Sequence, residues 1–438
     1  MASARFSSWP DEYASKVMEP EAAVRLIYSG NCVAIPIGSI TPNLCEALFA
    51  RGDELHDIDL VVCAPFVDPG WFEPGHPSFR THVELFNTSV ARRSVNEGRS
   101  DFVSVPFSRR FKATRERGGG RFDPDVVLLS VGPPDRFGFC SFGISMWNKA
   151  SYARQARIVL AEVFDGYPRT GGANQIHVSE IDAFVPGGAP RPLPGRLTPE
   201  FPMAIAGYVN ELVKDGDTVQ IGTGAMTAQL ILAGGLKGRE ELGIHSEISV
   251  PGMNDLVLRG VVTGSQKTRH PGKFVATALT ASTTEEIEFI HENPVYEVYD
   301  VEYTNDIQVI ASHDNMLAIN NAMSVDLTGQ IAAETIGSEL WSGPGGQLEF
   351  VIGALLSKGG RSVTVLPSTA RDGEVSRITF QHEPGTVVTV PRQFADFVVT
   401  EFGIARLFGK SDRERAEELI SVAHPDHRAE LRRQAEKG

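Results

Sequence analysis

Only four of the 438 residues are cysteines, Cys32, Cys45, Cys63 and Cys140, and none stands in C-x-x-C spacing. Scattered through apolar surroundings, they read as buried free thiols rather than disulfides or a metal site. Long apolar runs are missing too. No stretch approaches the roughly 18 residues of a membrane-spanning helix, and the opening MASARFSSWPDEY lacks the apolar region of a secretion signal. The expectation is a cytoplasmic protein with no membrane partner. Basic residues are outnumbered, 41 Lys and Arg against 55 Asp and Glu, giving a net charge of −14. That argues against nucleic acid as a partner and leaves room only for a local basic pocket facing an anionic ligand.

What is present is an ordinary soluble composition, 42% hydrophobic and 22% charged, in a chain longer than one core usually organises. Two domains are the first expectation. After a helical start over residues 1–28, a strand at 32–37 runs into a glycine turn and a helix from Asn43. Further β-branched runs at 60–63, 102–105, 126–131 and 158–163 have the character of strands buried in a parallel sheet, with a helix carrying Ala150, Ala153 and Ala156. Prolines and glycines crowd 184–200, which marks a connector and divides the chain into domains 1–190 and 191–438. Beyond it a helix at 205–212, a strand at 218–221 and a helix at 227–236 are expected, then strands at 363–366, 387–390 and 397–400, and two charged amphipathic helices at the C-terminus.

The chain repeats itself. GNCVAIPIGSITPNL from Gly30 aligns without a gap on GDTVQIGTGAMTAQL from Gly216, matching Gly30, Val33, Ile35, Gly38, Thr41 and Leu44 with residues of the same type. A second match, Asp135-x-x-Gly138 with Asp326-x-x-Gly329, keeps nearly the same offset. Two similarly built open α/β domains with mainly parallel sheets follow, with an active site expected in the interdomain cleft.

One stretch of the second half stands out, LGIHSEISVPGMNDL, with Glu247 after His245 and Ser246. Two glycine-rich turns flank it, Gly222-Thr223-Gly224 before and Gly343-Pro344-Gly345-Gly346 after; glycines let backbone N–H groups approach a developing oxyanion. Glu247 is then a candidate nucleophile, or one of many solvated carboxylates. Basic residues gather in SRRFKATRERGGGR (residues 108–121), either as a solvated mobile loop or as an anion-binding lid.

LGIHSE, GTG, INNAMSVDLTGQ, SGPGGQLEF, LPSTA and VVTEFGIARLFGKS together resemble, in order and spacing, the acetyl-CoA hydrolase/transferase family, and within it the 4-hydroxybutyrate and butyrate:acetate CoA-transferases. The resemblance runs from Gly30 to the HPDHR near the C-terminus. It implies the CoA-transferase fold, and a ping-pong transfer of CoA from an acyl-CoA to a carboxylic acid. Glu247 would form first an acyl-glutamyl anhydride and then a glutamyl-CoA thioester. The alternatives are an acyl-CoA hydrolase and a non-catalytic acyl-CoA binding protein. By resemblance the oxyanion donors are the N–H groups of Thr223 and Gly346, and Gly222, Gly224, Gly343 and Gly345 shape the site. Glu401 lines the acyl pocket or is a helix N-terminal carboxylate. Asn320 and Gln347 donate near the carbonyl or satisfy backbone groups. Lys410, with Lys273 as a second candidate, would meet CoA. His245 is expected to shape a turn. CoA is a substrate, with no tightly bound cofactor and no metal, and a homodimer or larger symmetric oligomer is implied. Three departures from the family pattern bear on substrate: Thr223 for an aliphatic residue, Phe408 for an arginine, and His313 for an asparagine near the acyl site. The pair Arg109-Arg110 further suggests an acidic or larger acceptor acid.

Overall fold

The computed structural model describes residues 9–188, 203–224 and 226–436. The chain separates into two compact units, Met1–Pro194 with Thr283–Glu302, and Gly195–Ser282 with Tyr303–Gly438. Most of the proline- and glycine-rich connector at 184–200 lies outside the described residues, as does the beginning of the expected N-terminal helix. The segment Thr283–Glu302 belongs to the first unit although it follows Glu247 in the chain. It is fixed there by strand pairing of Tyr296–Val298 with Gly171–Gly172 and by the Asp300 carboxylate, which accepts the Ser151 N–H at 2.8 Å.

The first unit is built on β1 (Cys32–Ile35), β2 (Ile58–Cys63), β3 (Phe79–Glu84), β4 (Asp101–Val103), β5 (Val126–Val131), β6 (Ile158–Phe164) and β7 (Ala183–Gly188). These form a seven-stranded sheet in the order β7-β6-β5-β1-β2-β3-β4, parallel at every pairing. All six residues of β5 are buried, as continuous apolar strands covered on both faces require. Leu44, Leu48, Ile58, Leu60 and Leu128 lie in one apolar cluster of that unit.

The second unit contains β8 (Thr218–Ile221), β9 (Gly243–Ile248), β10 (Phe274–Ala278), β11 (Met316–Asn321), β12 (Arg361–Val365), β13 (Phe397–Thr400) and β14 (Gly403–Arg406). Its strands run β14-β13-β12-β11-β8-β9-β10, parallel except for the β13–β14 hairpin. From β13 to β10 this is the order β7 to β3 of the first unit. The repeated sequence therefore marks the two central strands, β1 and β8. Each is entered through a glycine with positive φ, +82° at Gly30 and +77° at Gly216. The second sequence match is also one geometry used twice. Asp135 accepts the N–H groups of Phe137 and Phe139, Asp326 those of Thr328 and Gln330, and Gly138 and Gly329 follow in the left-handed region.

Several expected elements differ. Residues 227–236 hold a single 3₁₀ turn, Thr227–Gln229, followed by turns; Gly234 at φ +92° and the N–H of Gly235 bonded to Leu230 O close the chain before a helix can extend. No strand forms at 387–390, where only Val390 makes an isolated bridge to Ile331 between Gly385 at φ +89° and Pro391. The basic stretch is not a uniformly solvated loop. It contains the helix Lys112–Arg117, and Arg110 is buried against the buried Glu84, 2.5 Å away.

A buried ion pair ties the second sheet together. The Arg361 guanidinium reaches across β11 to the Asp217 carboxylate and donates to Leu212 O at 2.7 and 3.0 Å, while Asp217 also accepts the Lys214 N–H at 2.6 Å. Removing the guanidinium strands a carboxylate away from water. Arg361→Ala is expected to lower the stability of this unit by about 3–5 kcal/mol. Urea melts at pH 7 check this, with Arg361→Met/Asp217→Asn losing less than the single change.

Candidate active site

In β9 side chains alternate, so Gly243, His245 and Glu247 share one face and Ile244 and Ser246 the other. Glu247 lies near the carboxyl end of the strand. Beside it, β8 and β11 are adjacent although distant in sequence, which makes their carboxyl ends the switch point of this sheet. The turn Gly222-Thr223-Gly224 leaves β8 there. β11 ends in Asn320 and Asn321 there, and a Cβ on Gly224 would collide with the Asn321 side chain. Thr227 locks the turn, its hydroxyl donating to Gly222 O at 2.5 Å and Gly224 O at 3.2 Å.

Glu247 is 7% exposed. Its Oε2 accepts from Asn305 Nδ2 at 2.7 Å, and the same nitrogen reaches Glu349 Oε2 at 3.2 Å. Gly346 is the N-cap of the helix Gln347–Leu356 and turns its N–H to the Glu247 carboxylate. A Cβ at 346 would strike both Asn305 Nδ2 and Glu247 Oε2, so the close approach requires glycine. Burial pushes the Glu247 carboxyl up to about 7, and the nearby Glu349 charge adds to the rise; the Asn305 and Gly346 donors oppose it. Asn305 and Glu349 escaped the sequence reading because the first lies 58 residues from Glu247 and the second faces inward from a helix.

The first unit holds a counterpart of this arrangement in which each place is filled. Val33 pairs with Leu60 as Val219 pairs with Ile244, which sets Cys63 at the position of Glu247. Asn148 is the N-cap of the helix Lys149–Gln155, as Gly346 is of Gln347–Leu356. The Asn148 Oδ1 accepts the N–H of Ile37 at 3.1 Å, and Ile37 is the counterpart of Thr223 in the repeat. The corresponding residue 346 has no side chain. Cys63 is enclosed by Tyr152 and Glu84, with Arg110 paired to the latter. Burial and the Glu84 charge raise its thiol well above the ordinary range.

The remaining candidates fall in distinct surroundings. Asn320 is buried in a reciprocal amide pair with Gln220, 3.1 Å each way. Gln347 donates to Asn321 O at 3.3 Å, and Gly343 and Gly345 lie in the turn leading to its helix, Gly345 at φ +50°. Glu401 is not at a helix N-terminus: it sits in the β13–β14 turn, and its carboxylate accepts from Ser368 N at 2.9 Å and Ser368 Oγ at 2.5 Å. Lys410 is ion-paired with Glu418. His245 belongs to the middle of β9 rather than to a turn, its Nε2 2.8 Å from Thr304 O. His313 is fully buried with its ring centroid 4.5 Å from that of His245. Burial, reinforced by the Lys267 charge, holds His313 down to about 3; burial and neighbouring cations hold His245 well below its usual range. Both rings are therefore neutral near pH 7. Arg110, spent on Glu84, is no open anchor for an acidic acceptor. Among the described residues, no helix is long and apolar enough to cross a membrane.

Models of the acetyl-CoA hydrolase/transferase N-terminal and C-terminal domains match residues 3–187 and 283–435. The interval 188–282, which holds Thr223 and Glu247, is spanned by full-length relatives. A 4-hydroxybutyrate coenzyme A transferase of Clostridium kluyveri is 38% identical over 98% of this chain and 99% of its own. A succinyl-CoA:cyclohexane-1-carboxylate CoA transferase of Geobacter metallireducens is 37% identical over 97% and 96%. The crystal structure of RipA from Yersinia pestis superposes with a TM-score of 0.89 at 34% identity, covering 98% of this chain and 99% of that one. Fold and relatives together define an enzyme of the CoA-transferase class. The chain belongs to the acetyl-CoA hydrolase/transferase family.

The raised Glu247 carboxyl carries a stability signature. Its ordinary value is 4.5 and its folded value about 7, so its favourable contribution is fully present below pH 4.5 and lost as pH rises through 7. Glu247→Gln is expected to melt with the native protein near pH 4.5 and to be more stable at pH 8, by up to about 3 kcal/mol. Thermal melts of both proteins across this range measure the divergence.

Proposed function

We propose that the protein transfers CoA from an acyl-CoA to a small carboxylic acid by a ping-pong route through Glu247. The observation that carries this reading is a buried glutamate at a sheet switch point, facing the N–H of a residue that only glycine can occupy. A lone pair of the ionised carboxylate adds to the thioester carbonyl carbon. The negative charge moving onto the acyl oxygen is met by the N–H groups of Thr223 and Gly346. The C–S bond breaks, CoA leaves as thiolate, and an acyl-glutamyl anhydride remains. The thiolate adds to the glutamyl carbonyl carbon, the first acid leaves as its carboxylate, and a glutamyl-CoA thioester results. A second carboxylate reverses both steps and departs as acyl-CoA. No proton changes hands, which suits the neutral, enclosed His245 and His313.

A carboxylate is a weak nucleophile, so most of the acceleration must come from orientation, which contributes on the order of 7 to 11 kcal/mol in well-aligned systems. Each oxyanion donor adds about 10² to 10³ in rate. In the first unit the Ile37 N–H, counterpart of the Thr223 N–H, is taken by the side chain of Asn148, and glycine at 346 has no side chain to take it. The acids in the names of relatives, 4-hydroxybutyrate in one and cyclohexane-1-carboxylate in another, are the class from which acids used by this protein are drawn.

Incubation with butyryl-CoA followed by borohydride tests the route. Peptide mass spectrometry is expected to show Glu247 reduced to the corresponding alcohol in the native protein and unmodified residue 247 in Glu247→Ala. CoA exchange into acetate is expected to vanish with it. Persistence of exchange in Glu247→Ala overturns the assignment, and CoA release independent of any acceptor acid identifies a hydrolase instead.

A further inference from the structure

Two threonines stand close together after β8, and only one of them spends its hydroxyl on the fold. Thr227 donates to Gly222 O at 2.5 Å and to Gly224 O at 3.2 Å, which fixes the turn from both sides. The hydroxyl of half-buried Thr223 has no hydrogen-bond partner among the described residues. The glycines on either side of it face β11: a Cβ on Gly222 would come within 2.6 Å of Asn320 Oδ1, and one on Gly224 would strike the Asn321 amide. The Gly222 N–H still donates to Ile319 O at 2.9 Å, so the chain continues extended from β8 and successive residues point to opposite sides. The Thr223 side chain is thereby turned away from both amides.

The first unit shows that the turn does not need this hydroxyl. Ile37 is the counterpart of Thr223; it is 3% exposed, and its N–H is taken by Asn148. Both residues are β-branched, which suits the extended backbone leaving a central strand. The filled copy has an apolar side chain at this place. The copy that carries Glu247 sets a group there that can both donate and accept a hydrogen bond.

We propose that the Thr223 hydroxyl is a specificity determinant that binds a hydroxyl on the carbon next to the substrate carbonyl, so that the protein prefers 2-hydroxy acids and their CoA thioesters. The proposal rests on the reading that the Thr223 N–H meets the acyl oxygen, and it adds the class of acyl group that this place takes. Within one threonine, N and Oγ lie about 3 Å apart in the gauche rotamers. The carbonyl and hydroxyl oxygens of a 2-hydroxyacyl group, on the same side of their C–C bond, are about 2.7 Å apart. An acyl oxygen that accepts the Thr223 N–H therefore brings its 2-hydroxyl within hydrogen-bonding reach of Oγ. The other neighbour of the carbonyl carbon is the thioester sulfur, a weak acceptor that gives a hydroxyl little to recognise. A hydroxyl further along the acyl chain turns about additional bonds, and ordering it costs conformational entropy.

Competition between acceptors tests this in the full-length chain. With acetyl-CoA as donor, equal amounts of 2-hydroxybutyrate, 3-hydroxybutyrate and butyrate compete in one reaction, and their CoA thioesters are quantified by mass spectrometry. Native protein, Thr223→Val and Thr223→Ser are compared. Valine keeps the β-branched shape that the counterpart position accepts as Ile37, and serine keeps the hydroxyl. Native protein is expected to favour 2-hydroxybutyryl-CoA. Thr223→Val is expected to lower the ratio of 2-hydroxybutyryl-CoA to butyryl-CoA about tenfold, and Thr223→Ser to hold it within about threefold of native. The ratio cancels any general effect of a substitution on turnover. A native preference for butyrate, an unchanged ratio in Thr223→Val, or a loss confined to 3-hydroxybutyrate overturns the proposal. Borohydride labelling of native protein reads the route separately. A ratio effect without a labelled Glu247 removes the glutamate route alone, and a labelled Glu247 without a ratio effect removes this proposal alone.

Discussion

The second half of the molecule is built around a carboxylate that is kept out of water, and the chemistry proposed for it needs the ionised form. Burial alone would hold Glu247 protonated, the form that cannot act as the proposed nucleophile. Two N–H groups, from Asn305 and from Gly346, pull the other way, and the balance leaves the group near neutrality. The surroundings follow from that requirement. Residue 346 must be glycine, Gly224 must clear the Asn321 side chain, and the Asn305 amide must present its NH₂ to the carboxylate. Nearby imidazoles are enclosed and neutral, so they compete neither for the charge nor for a proton.

The internal duplication sets an arrangement left open at one residue beside a filled one. Both units use the same parallel core order, the same glycine entry to the central strand and the same Asp-x-x-Gly turn. In the first unit, Asn148 takes the N–H that follows β1, and Cys63 stands at the position of Glu247 among Tyr152, Glu84 and Arg110. A side chain on the helix cap closes one copy; its absence at Gly346 opens the other. The buried Arg110–Glu84 pair belongs to this closed copy, which is why the basic stretch contributes less open positive charge than its composition suggests.

Much of this was legible in the sequence, for reasons that can be named. Strands covered on both faces must be continuously apolar, so VVLLSV announces β5 residue for residue. Close backbone approach demands glycine, so both turns could be recognised as places where the backbone comes close to its neighbours. A helix at 227–236 and a strand at 387–390 were misread because apolar pattern outweighed the glycines and proline that interrupt them.

By itself, the sequence determined the two-fold repeat and the parallel α/β architecture, which depend on local pattern and on glycines at fixed spacing, and its ordered motifs carried the family. Only the tertiary structure decided which groups meet Glu247. Asn305 comes from a segment with no sequence signal of its own, Glu349 from a motif, SGPGGQLEF, that gave no hint of this contact, and Glu401, read as a pocket or helix-terminal carboxylate, is bound by Ser368 in a hairpin turn. Hydrogen-bond partners across 30 to 60 residues are set by how strands order in the sheet, and that order is a property of packing rather than of any one stretch of chain.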